Sequence, residues 1–237
     1  MGRDVSSGTG DVSPGADGAG RPGSARGVGA TPARVRPRDR GRRGGDRTRE
    51  AFLRATAQLL QRQGYAASGL NEIVAASGAP KGSLYFHFPG GKEELAAVAI
   101  ARSGAGLAGA IESILSAHEQ LGAGIAALID ALAAGLQASG YVEGCPVATV
   151  ALETAASSEE LRGAAQQAFE SWIAPLHARL HAEGMAAAVA ERRAILVLSA
   201  IEGALLLARA RRSPEPLLAV REELLELSAM WLARRTR

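Results

Sequence analysis

A chain of 237 residues with a net charge of +3, 47% hydrophobic residues and a single cysteine has the size of one or two globular domains. One cysteine, Cys145, excludes an intrachain disulfide framework, and no signal-peptide apolar stretch lies near the N-terminus. The run from Ala194 to Ala208 contains Glu202 and is short of the ~20 apolar residues a bilayer span needs, so a cytoplasmic chain without a membrane partner is expected.

Residues 1–46 hold twelve glycines, four prolines and nine arginines, and no Leu, Ile, Phe, Tyr or Trp. Such a stretch cannot bury enough apolar surface to offset the entropy of ordering it, which predicts a disordered tail. Charge is also uneven: +4 over residues 1–46, +2 over 47–95 and −3 over 96–237. A basic N-terminal part on an acidic body points to a polyanion partner at that end, beside the plainer reading of a solubilising leader.

Everything after residue 46 reads as helix, because no segment alternates with period two over any length. Asp46 suits the cap of a first helix, whose Phe52, Ala55, Thr56, Leu59 and Leu60 form one apolar stripe. Gly64 stops it and Tyr65 packs back. Ser68 is the expected cap of a short second helix with Leu70, Ile73 and Val74 facing inward. Gly78 supplies a left-handed turn residue, and Pro80 suits the first position of a third helix that ends at Pro89-Gly90-Gly91. Six further helices are expected: about Lys92 to His118, Leu121 to Gln137, Pro146 to Ala156, one opened by a Ser157/Glu160 capping box and ending near Gly184, Ala187 to Arg211, and Leu217 to Arg235. The expected fold is all-α, with three helices over residues 47–91 and six over 92–237.

The second and third helices, joined by a tight glycine-containing turn, have the helix-turn-helix arrangement, in which the second member enters the DNA major groove. The residue types of the third helix fit that use. Lys81 and Lys92, the two lysines of the chain, bracket it. Lys81 is a point charge for a phosphate, Gly82 lets backbone approach closely, and Ser83 and Tyr85 carry hydroxyls for phosphates or base edges. An ordinary helical corner with a solvated polar face would share the glycine turn alone, but not the apolar spacing of all three helices together with this polar face.

Gly64-Tyr65, Ile73-Val74, Ser77-Gly78 and Lys81-Gly82-Ser83-Leu84-Tyr85-Phe86-His87-Phe88 resemble the DNA-binding domain of TetR-type transcriptional regulators. Pro80, where that family commonly has a hydroxyl residue, and the linker Pro89-Gly90-Gly91, one residue longer than the common form, resemble the LmrA/YxaF-like subgroup. Gly144-Cys145-Pro146-Val147 and Ile201-Glu202-Gly203-Ala204 do so as well. The subgroup includes repressors of multidrug-export genes. The resemblance implies phosphate contacts from Arg47, Thr48, Ser68, Tyr85 and Lys92. It places Lys81, Gly82 and Ser83 at the groove, with His87 at its edge. Arg34, Arg36, Arg38, Arg40, Arg42 and Arg43 are candidates for added minor-groove or phosphate contacts.

The last two helices carry broad apolar stripes, Ile195, Leu198, Ser199, Glu202, Gly203 and Leu206 on one and Leu224, Leu225, Leu227, Ser228 and Trp231 on the other. Spacing alone leaves an intramolecular core and a homodimer seam open, and the resemblance favours a four-helix dimer interface. It also implies a small-molecule effector pocket in the body, with Leu136, Cys145, Thr149, Leu152, Trp172 and Leu176 as candidate liners. Cys145 before Pro146 sits where a helix N-terminus lowers a thiol pKa, although a small buried cap residue is the favoured reading. His177 and His181 lie one turn apart, without a third ligand at metal-site spacing. No cofactor and no metal are expected. The chain lacks a phosphate loop, a nucleophile elbow and a zinc-helix motif, and no acid stands placed to orient His87 toward Ser83, so no enzyme is expected. The expected function is a DNA-binding regulator, a repressor released from a near-palindromic operator by a small hydrophobic ligand. An activator of the same fold, and a helical small-molecule binder without a DNA role, are the alternatives.

Overall fold

The computed structural model describes residue 10 and residues 37–233, in which nine helices and no strand occur. They are α1 (Pro37–Ala67), α2 (Leu70–Ser77), α3 (Lys81–His87), α4 (Gly91–Ser116), α5 (Leu121–Ala138), α6 (Pro146–Thr154), α7 (Glu159–Ala182), α8 (Ala187–Arg211) and α9 (Glu215–Ala233).

The first helix starts at Pro37, so residues 37–46 are helical and not the disordered segment expected, and Asp46 lies inside the helix instead of capping it. Once the packed turns after Arg47 exist, extension toward the N-terminus adds hydrogen bonds without a new nucleus, and Pro37 stands where a missing N–H is harmless. The rest of the expected tail, with Arg34 and Arg36, falls outside the described residues apart from residue 10. The helical path breaks at Gly64, at φ 79°, where the sequence places the stop.

Phe52 of α1, Ile73 of α2, and Leu84 and Phe88 of and just after α3 are fully buried, and the rings of Phe52 and Phe88 meet edge to face at 6.4 Å. Burial of each is worth about 1.5–3 kcal/mol, and together they hold α1, α2 and α3 as one unit. The α2–α3 turn depends on Gly78, whose φ of 64° is left-handed and strained for a residue with a Cβ. Pro80 is the N-cap of α3 and not its first helical residue, and its carbonyl accepts from Ser83 N–H at 2.9 Å.

In the body α4 lies along α7, α5 along α9, and α7 along α8. The α4–α7 contact is close because Gly104 lacks a side chain: a Cβ there would stand 2.6 Å from Cβ of Ala168. The same residue's carbonyl accepts the indole N–H of Trp172 at 2.8 Å. The α7 cap is Ser158, whose hydroxyl accepts from Leu161 N–H at 3.1 Å, one residue beyond the expected Ser157. Helices α4 and α5 are long and apolar enough to cross a membrane by length and composition; here both are packed into the helical body.

Candidate nucleic-acid interface and interior cavity

Helix α3 turns Leu84 inward and presents Lys81, Gly82, Tyr85 and Phe86 outward, Tyr85 at 53% and Phe86 at 80% exposure. Lys81 Nζ donates to Asn71 Oδ1 of α2 at 3.0 Å, which steers its charge along the outer surface of the pair. A Cβ on Gly82 would meet nothing within 4 Å, so no contact inside the chain requires glycine there. Ser83 is half-buried, and the His87 ring stands beside Gly45 of α1. Arg47 is exposed, while Thr48 donates its hydroxyl to Gly44 O at 3.0 Å. The cluster is one exposed, donor-rich surface of the kind that docks against phosphates and base edges.

Two expected phosphate contacts are engaged within the chain, Ser68 fully buried and Lys92 half-buried. Ser68 is fully buried and donates to Gly64 O at 2.6 Å, and Gly69, not Ser68, is the N-cap of α2. Lys92 donates to Tyr65 O at 2.7 Å and lies 4.1 Å from the centroid of the Tyr65 ring. Burial lowers its pKa, against a smaller raising effect of Glu153. The cause is the break at Gly64: the segment after it exposes carbonyls that must find donors, and Ser68 and Lys92 supply them. Phe86 is the surface feature that the sequence reading misses; its signal is a large aromatic placed opposite the Leu84 and Phe88 anchors.

A cavity of about 340 Å³ lies in the body. Of the candidate liners, Leu136, Cys145, Trp172 and Leu176 stand in its wall, with Leu107, Ile111, Leu198, Ile201 and Leu205. Thr149 and Leu152 do not. They stand on the other side of α6, in an outer groove with Phe169, Gly203 and Leu206, where Leu152 is 81% exposed. Gln61, Glu143 and Glu202 also line the cavity, and the sequence reading assigns none of them to it. Glu202, expected at the dimer seam, lies against the Cys145 thiol, and burial raises its carboxyl pKa. Burial first, and then the Glu202 charge, push the thiol far above its ordinary value. Although Cys145 caps α6, accepting from Ala148 N–H at 3.4 Å, it is therefore not an activated thiolate.

Gln61 belongs to α1, the helix that carries the helix-turn-helix unit. Its carbonyl accepts from Gly144 N–H at 3.2 Å, and Arg209 of α8 donates to the neighbouring Arg62 O at 2.8 Å. Glu153 of α6 accepts from Ala66 N–H at 2.7 Å. The end of α1 is thus bound by the same loop and helices that wall the cavity.

Of the other expected dimer residues, Leu224 and Ser228 are buried within the subunit, with Ser228 packed against Gly122 of α5, so the α5–α9 contact uses that stripe internally. Leu225 also reaches Gly122. Leu227 and Trp231 are half-buried, Trp231 beneath the Arg193 guanidinium at 4.8 Å. Ile195, Ser199, Gly203 and Leu206 are exposed on α8, beside Leu196 and Leu207, whereas Leu198 faces the cavity. His177 and His181 stack with centroids 6.1 Å apart, and no group of three potential metal ligands occurs among the described residues.

Residues 52–99 match the family model of bacterial regulatory proteins of the tetR family, and residues 122–223 match that of the LmrA/YxaF-like transcriptional regulator C-terminal domain. The chain is 37% identical over 173 residues to the HTH-type transcriptional regulator LmrA of Bacillus subtilis, covering 73% of this chain and 92% of that protein. It is also 37% identical over 177 residues to the uncharacterized regulator YxaF of the same organism, covering 75% and 93%. Among solved structures, reduced NemR of E. coli superposes with a TM-score of 0.63 at 25% identity, covering 75% of this chain and 95% of that one. The chain therefore belongs to the TetR family of DNA-binding transcriptional regulators, which are not enzymes, with an LmrA/YxaF-like C-terminal domain.

Proposed function

We propose that the chain is a homodimeric repressor that a small, largely apolar ligand releases from a near-palindromic operator. The observation that carries the reading is Gln61: it lines the cavity while its carbonyl, and that of Arg62, are held by Gly144 and Arg209. A ligand that displaces the Gly144–Cys145 loop or Arg209 changes the seating of α1, and with it α2 and α3. A ligand acts only through its differential affinity for the two arrangements, and coupling of about 1–3 kcal/mol is typical.

Dimerisation is supported by the exposed leucines and Ile195 of α8, an apolar face of the kind that marks an interaction surface. Two-fold pairing would set two copies of α3 against major grooves about 34–36 Å apart. Lys81, Gly82, Ser83 and Tyr85 would make the groove contacts, with Arg47, Thr48 and His87 at the flanks. In vitro transcription from a template carrying the gene's own upstream region tests the direction of control. Transcript should fall as the wild-type protein is added and persist with Lys81→Ala. Transcript that rises, or does not change, contradicts repression.

A further inference from the structure

The polarity of the cavity is one-sided. Its lining includes Glu202, Glu143 and Gln61 and no lysine, arginine or histidine. Neither carboxylate takes part in an ion pair among the described residues. The Arg209 guanidinium stands just outside, against Gly144 of the wall, where it donates to Arg62 O at 2.8 Å and forms no ion pair with Glu202; the first-turn Ala148 N–H of α6 is directed at Cys145 Sγ. Apart from the Ser103 hydroxyl and the Cys145 thiol, the rest of the wall is mostly hydrocarbon and indole, including Leu136, Trp172 and Leu176. A carboxyl held in such a wall without a counter-charge is costly to ionise. An anionic ligand would add like charge to that cost. A protonated amine would remove it, bringing both the missing charge and donor hydrogens for a charge-assisted bond.

We propose that the cavity selects lipophilic amines, whose ammonium group pairs with Glu202 while the apolar body lies against the Leu136–Trp172–Leu176 wall. This rests on reading the cavity as the effector site and adds the chemical class of its occupant. The volume of about 340 Å³ is within the range of small-molecule sites.

Isothermal titration of the full chain with three probes of one shape tests it: 1-naphthylmethylamine, 1-naphthylmethanol and 1-naphthoic acid, at neutral pH. The amine should bind about tenfold or more tightly than the alcohol, and the acid should bind weakest. Glu202→Gln should lower the amine to the affinity of the alcohol and leave the alcohol unchanged. Leu136→Trp, which fills the cavity, should abolish binding of all three. The order among the probes on the unmodified protein stands whether or not either variant folds. An alcohol or acid that binds as tightly as the amine overturns the assignment of amines, and an amine preference that survives Glu202→Gln overturns the pairing with Glu202; either result leaves the effector cavity intact. Failure of all three probes to bind, or binding untouched by a folded Leu136→Trp variant, overturns the effector cavity itself and the amine assignment with it.

Discussion

Lys81→Ala will weaken operator binding about 100-fold or more while leaving the fold in place. A hydrogen bond to a charged group is worth about 1.5–3 kcal/mol, and a two-fold dimer loses it twice. Within the protein Lys81 is exposed and donates to Asn71 at 3.0 Å, a surface hydrogen bond whose removal costs no more than about 0.5 kcal/mol. Affinity measured by fluorescence anisotropy and stability measured by thermal melting therefore separate. A melting temperature that falls in step with affinity would mean that Lys81 is structural. The slope of log affinity against log salt should also become shallower by about one unit for each phosphate left without its cation.

Trp172→Ala has the largest expected effect on stability, about 3–5 kcal/mol. The side chain is 1% exposed, meets Phe169 edge to face with centroids 5.4 Å apart, and donates to Gly104 O at the closest point of α4 and α7. The vacated volume would join the existing cavity, which Trp172 lines. For a domain of this size each kcal/mol shifts the midpoint by about 2–4 °C, so a fall of roughly 10 °C is expected in calorimetry. Trp172→Phe, which keeps most of the volume and loses the indole donor, should cost much less. Equal losses for the two variants would show that the hydrogen bond to Gly104, and not the packing, holds the two helices together.

Most helix ends are legible in the chain because local chemistry decides them. Pro146, the Gly78 turn and the apolar run of α8 act within a turn or two of the boundary they set. The start of α1 is not, since helical propagation from a packed segment overrides a run of Arg and Gly. Nor are the fates of Ser68 and Lys92. Both look like solvent-facing donors in sequence, and both donate to carbonyls that the break at Gly64 frees and that only the folded arrangement brings near, Ser68 fully buried and Lys92 half-buried. The surface of α3 is largely visible, as Leu84 and Phe88 fix which side is buried. The cavity is visible only in part. Periodicity says which residues of α6 and α8 share a face, but not which neighbour that face meets. For that reason the sequence reading puts Thr149 and Leu152 inside, where only the outer groove holds them, and leaves Glu202 out of the cavity, although it lines both the cavity and the groove.

The central claim is that the exposed face of α3 reads duplex DNA. The direct test is equilibrium binding of the unmodified protein to a labelled duplex from the gene's own upstream region and to a scrambled duplex of equal length, each at about 50 and 200 mM salt. The upstream duplex should bind more tightly at both concentrations, and its affinity should drop about a thousandfold or more between them, as for a protein that makes roughly six or more phosphate contacts. Equal affinity for the two duplexes, or affinity indifferent to salt, would contradict it.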